Sequence, residues 1–162
     1  IHRSMQELIE NKFISIDDKK LLSVNYRENS LELSFIESKR TKRALEGKKS
    51  VSLFLKDCLA ELKEDFFIFL IFGSFIDKRK FNDLDIAIIL DNSQKIEKIE
   101  KIIHNIASNF SFKIDLKVIS KESAYEMFSK REQINILNES LNKHLIVFGG
   151  ESYYRILSNA RR

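Results

Sequence analysis

The stretch FFIFLIFGSFIDKRKFNDLDIAIIL, residues 66 to 90, decides how this chain is read. Seven consecutive apolar residues, Phe66 to Phe72, run straight into Gly73-Ser74, and the next apolar run opens with Asp83 and Asp85. A run that short, bounded by turn residues, is most simply a strand buried on both faces. Two carboxylates at the mouth of the following strand must then be solvated, paired or bound to a cation, because a bare carboxylate in an apolar setting is very costly.

Working outward, Val51, Leu55, Cys58, Leu59 and Leu62 form one helical stripe from Ser50 onward, ahead of the strand. Behind it, Leu84 to Leu90 reads as a second strand. Ile96, Ile99, Ile102, Ile103, Ile106 and Phe110 mark a helix by their spacing, and FKIDLKVI, Phe112 to Ile119, alternates as a half-exposed strand does. Two further helical segments, about 120–130 and 132–144, lead to a short strand LIVF and a final helix from about Ser152. Helix, strand, loop, strand, helix, strand is the order of an α/β fold with a small sheet flanked by helices.

The amino-terminal part is organised differently. Met5, Leu8 and Ile9 predict a helix from the outset, followed by a hairpin of Phe13 to Ile16 and Leu21 to Tyr26 around the turn DDKK. Asn29, with Glu32 three residues later, predicts a capped helix through about Leu45 that ends at Gly47. The expected division is 1–27, a linking helix over 28–49 and a larger domain over 50–162, with no proline or low-complexity linker at the borders.

Composition bounds the function. With 162 residues, 43% hydrophobic and 32% charged, the chain has the makings of one good core. Its longest apolar run, seven residues, falls far short of the roughly 20 that span a bilayer, so we expect a cytoplasmic protein with no membrane partner. A single cysteine, Cys58, excludes an internal disulfide and is expected to serve packing. His2, His104 and His144 have no ligand spacing. A net charge of +4 does not by itself argue for a polyanionic partner. The cluster Lys39, Arg40, Lys42, Arg43, Lys48 and Lys49 reads as a solvated face, whereas Lys78, Arg79 and Lys80 lie in the loop beside the aspartates.

Period two puts Asp83 and Asp85 on one face of their strand, and Lys113, Asp115 and Lys117 on the polar face of the third. If these strands are neighbours, three carboxylates converge, and they repel unless protonated or bound to a hard cation. Mg²⁺ is the natural candidate, with Mn²⁺ beside it, because such an ion takes a few carboxylates and fills its other positions with water and phosphate oxygens. Gly73 permits close backbone approach to a phosphate, Ser74 adds a hydroxyl donor, and N–H groups at a helix start favour an anion. The set is equipped for a triphosphate.

In this order, FGS, NDLDIAIIL and IDL resemble the nucleotidyltransferase superfamily that includes DNA polymerase beta, especially its small prokaryotic minimal members. The resemblance covers roughly residues 50 to 160 and includes the ending HLIVFGGESYYRIL. It implies the nucleotidyltransferase fold and transfer of a nucleoside monophosphate from a nucleoside triphosphate, with ATP the expected nucleotide, to a hydroxyl acceptor. Gly73 and Ser74 would bind the phosphates, Asp83 and Asp85 the metal, and Asp115 would be the third metal-site acid, orienting or deprotonating the attacking group. The chain departs from the pattern at Ile76, Asp77 and Lys78, where relatives carry a small residue, a basic one and a glycine; Arg79 or Lys80 would have to compensate. The resemblance therefore leaves room for a domain that senses nucleotide, or dimerises, without transfer. It leaves room equally for an antitoxin that modifies or binds a small helical toxin protein.

The first helix and hairpin resemble the recognition helix and wing of a winged helix-turn-helix. That resemblance implies duplex DNA as a partner, with His2, Arg3 and Gln6 toward the bases and Lys19 and Lys20, at the wing tip, toward the phosphates.

Overall fold

The computed structural model describes residues 2–77, 81 and 83–161. Its centre is a four-stranded mixed sheet in the order β5-β4-β3-β6, built from β3 (Phe67–Phe72), β4 (Asp83–Leu90), β5 (Lys113–Ser120) and β6 (His144–Phe148). β3 runs antiparallel to both β4 and β6, while β4 and β5 are parallel. Parallel neighbours need a crossover, and α5 (Ile96–Ala107) provides it after a 3-10 turn over Ser93–Lys95.

The apolar run of the opening stretch is this sheet's interior. Phe67, Phe69 and Ile71 of β3 enter one core with Leu84, Ile86, Ile88 and Leu90 of β4, against α3 (Lys49–Glu61) and α5. Ile68 and Leu70 enter the other with Ala87 and Ile89, against α6 (Lys121–Ser129), α7 (Ile136–Ser140) and α8 (Gly150–Ala160). β3 thus reads as an unbroken apolar run because both of its faces are covered. The arrangement is an α/β fold with a small mixed sheet flanked by helices, as expected. Cys58 is buried in the first core, where burial pushes its thiol up to about 12.

Ahead of the sheet stand α1 (His2–Glu10) and a two-stranded antiparallel hairpin, β1 (Ile14–Ile16) and β2 (Leu22–Val24). The second strand ends at Val24, two residues short of expectation. α2 (Ser30–Ala44) lies against the sheet's far edge: the Thr41 hydroxyl donates to the Ile146 carbonyl at 2.9 Å, and Tyr154 of α8 donates to the buried Glu37 at 3.2 Å. Arg40 bonds both Glu37 and the His144 carbonyl, so the basic cluster is not uniformly solvated.

Three local expectations are corrected. Asn29 stands at the N-cap of α2, but its side chain makes no cap bond; its amide donates instead to the Phe13 and Asn25 carbonyls and ties the hairpin to the helix. The helix expected over 132–144 is only Ile136–Ser140, because Asn135 caps it, accepting from the Asn138 N–H at 3.0 Å. The last helix begins at Gly150 rather than Ser152. Among the described residues no helix is long and apolar enough to cross a membrane.

Candidate active site

The end of β3 turns at Gly73, whose φ of +70° lies in the left-handed region that glycine adopts without strain. The one-turn helix α4 (Ser74–Asp77) follows directly and is anchored by Phe75, which is fully buried and meets Phe81 edge-on at 5.0 Å. Lys48, just ahead of α3, clamps this turn from behind. Its ammonium sits 3.8 Å from the Phe75 ring centre and donates to the Phe75 carbonyl at 3.2 Å; burial lowers its pKa. In sequence Lys48 is one of six basic residues in a cluster, and nothing local distinguishes it.

Register then assembles the acids. Asp85 pairs with Phe72 on one side and with Asp115 on the other, while Asp83 lies opposite Lys113. Directly opposed residues point to the same face of a sheet, so Asp83, Asp85, Asp115, Lys113 and Lys117 share one face at one end. Phe72, half-buried beside Asp85, shares it too. Sequence alone did not single out Phe72, because it closes a run that is apolar throughout.

Asp85 carries the electrostatic strain. Burial raises its pKa above the ordinary carboxylate value, the charges of Asp83 and Asp115 raise it further, and a hydrogen bond from the Ser74 backbone N–H opposes the rise. Asp115 is half exposed and ion-paired with Lys117 at 3.0 Å.

These residues fit a divalent cation in kind and in face: they are hard oxygen donors on adjacent strands, and their mutual repulsion is what a cation relieves. The side chains do not yet form a cage. Among the described residues no group of three or more histidine, cysteine, aspartate or glutamate side chains could hold a metal ion, and Asp115 is engaged by Lys117 instead. The strands bring the three acids to one end of one face, where the Asp115 carboxylate pairs with Lys117.

Residues 55–140, just over half of the 162-residue chain, match the family model described as polymerase beta, nucleotidyltransferase. The chain belongs to the polymerase beta nucleotidyltransferase family. No curated protein and no solved structure matched it. The match begins within α3 and ends with α7, so it spans β3, β4 and β5 and contains Gly73, Ser74, Asp83, Asp85 and Asp115.

The remaining expected site residues lie apart from this face. Lys19 and Lys20 are exposed at the tip of the hairpin, where Asp17 accepts bonds from the Lys19 and Leu21 N–H groups at 2.9 and 2.8 Å. Gln6 is exposed on α1, and His2 and Arg3 belong to the same helix. The side chains of His2, Arg3 and Asp77 lie outside the described residues, as do Lys78, Arg79 and Lys80.

Proposed function

We propose that the chain transfers a nucleoside monophosphate from a nucleoside triphosphate to a hydroxyl acceptor at the Gly73, Asp83, Asp85 and Asp115 face. The observation that carries this reading is the half-buried Asp85, which faces Asp115 across the β4–β5 ladder and packs against a glycine turn that leads into a helix start.

Asp83 and Asp85 would hold the divalent cation, Mg²⁺ or Mn²⁺, with Asp115 as its third acid. When bound, it supplies charge neutralisation on the phosphate oxygens. Gly73 and Ser74 form the turn against which the phosphates lie, with the Ser74 hydroxyl as donor. Asp115 takes the proton of the attacking hydroxyl as general base. The acceptor oxygen then bonds to the α-phosphorus, the bond to the bridging oxygen breaks, and pyrophosphate leaves.

The test is incubation with Mg²⁺, α-labelled ATP and a cellular extract. Label should pass to a macromolecular acceptor, and Asp115→Asn should stop transfer while sparing nucleotide binding. Nucleotide binding with no transfer for any nucleotide or metal would replace this reading with a sensor.

A second reading, a DNA-binding regulator, is supported by the hairpin tip, where the Asp17 bonds fix the turn that presents Lys19 and Lys20. Duplex binding that falls steeply with salt, and weakens in Lys19→Ala/Lys20→Ala, is expected from it. No affinity for duplex DNA at low salt would remove it.

A further inference from the structure

Lys117 is the only lysine for which an ion pair with a site acid is found among the described residues. Its position explains the choice. Opposite Lys117 on β4 stands Ala87, which offers no charge, so the acid within reach on this face is its own strand's Asp115, two residues back. Lys113, two residues before Asp115 on the same face, stands opposite Asp83. The edge strand β5 therefore presents a lysine, an acid and a lysine along one face, and the ammonium of Lys117 lies 3.0 Å from Asp115 Oδ1.

We propose that Lys117 is a displaceable counter-ion: it holds Asp115 out of the cation site until a polyphosphate draws the ammonium away, so that the third acid joins the site only when the anionic substrate has arrived. This rests on the reading that Asp83, Asp85 and Asp115 bind a divalent cation. Both partners are about half exposed, at 54% and 53%, and pairs so exposed are weak. Weakness suits the role. A triphosphate carries several charges and many acceptor oxygens, and its charge-assisted bonds to an ammonium outcompete one solvated carboxylate. The released Asp115 then faces Asp85 directly across the β4–β5 ladder. Lys117 is in this account a positioning residue, acting on the chemistry through Asp115.

The distinguishing signature is that one substitution moves two ligands in opposite directions. Calorimetric titration of Mn²⁺ into the metal-free full chain, without nucleotide, should give several-fold tighter binding for Lys117→Gln than for wild type. Inorganic tripolyphosphate titrated without metal should bind Lys117→Gln several-fold more weakly. In an Asp115→Asn background the Mn²⁺ gain from Lys117→Gln should vanish. A gain that persists there would mean a general change of surface charge and would overturn the proposal, as would equal Mn²⁺ affinity in wild type and Lys117→Gln, or unchanged tripolyphosphate affinity. Absence of Mn²⁺ binding in every variant would overturn the metal-site reading itself, and this proposal with it. Melting curves confirm that these surface variants remain folded.

Discussion

Asp85 Oδ2 fills the volume that a side chain at residue 73 would need: a Cβ built on Gly73 would lie 2.0 Å from it. The glycine is required twice, once for its φ of +70° and once for the carboxylate packed against the turn. The same closeness lets the Ser74 N–H reach Asp85. The Gly73-Ser74 turn and Asp85 are thus one packed unit.

Gly73→Ala should therefore lose stability and site together. The left-handed backbone alone costs a side-chain-bearing residue about 1–2 kcal/mol, and displacement of Asp85 adds to it. We expect a melting temperature lower by at least a few degrees, with Mn²⁺ binding weakened beyond what the fold loses. Wild-type melting and wild-type Mn²⁺ affinity in this variant would refute the packed turn.

Asp85→Asn should stabilise the metal-free protein. A carboxyl whose folded pKa lies above its unfolded one favours folding only while protonated, so its contribution is full below the unfolded pKa and is lost as pH rises through the folded one. The variant should melt above wild type at pH 7 to 8, and the difference should close as pH falls toward about 4, near the ordinary carboxylate value. Added Mn²⁺ should reverse the order at neutral pH, because only wild type gains by binding. A variant that melts below wild type at pH 8 without metal would show that Asp85 is not crowded.

Lys48→Met keeps an apolar stem but removes the bond to the Phe75 carbonyl and the cation over the ring. Each is worth on the order of 1 kcal/mol, and both act on α4. Amide exchange in residues 75–77 should accelerate more than exchange in β3 or β4, with a small change in overall melting. Equal exchange in α4 of wild type and variant would remove Lys48 from the account of the site.

Much of this was legible in residue order. The apolar run before Gly73-Ser74, the acids opening β4 and the alternation around Asp115 each encode burial on particular faces, and burial is what period and run length report. Chain-distant partners were not legible. Lys48 looks like any other member of its basic cluster until Phe75 is brought beneath it, and Arg40 likewise until β6 presents its carbonyl. Asn29 was misread because a cap uses the side-chain oxygen as an acceptor, whereas here the amide N–H is the group engaged, donating to the Phe13 and Asn25 carbonyls. Asn135 carried a readable signal, an amide placed to cap the next turn, which the apolar residues around it obscured. The Lys117–Asp115 pair follows from spacing along a strand face; that no acid competes for Lys117 follows only from the register that sets Ala87 opposite.

The sheet order divides the site mechanically. Asp85 rides on β4 with a partner on each side, Phe72 and Asp115, whereas Asp115 rides on the edge strand β5, held on one side only and by parallel pairing, the slightly weaker kind per residue. Fraying of that outer strand would displace Asp115 while Asp85 and the core beneath it stay put. Heat or denaturant should therefore silence the chemistry before the molecule unfolds, and a ligand bridging Asp85 to Asp115 would act as a rivet across the seam.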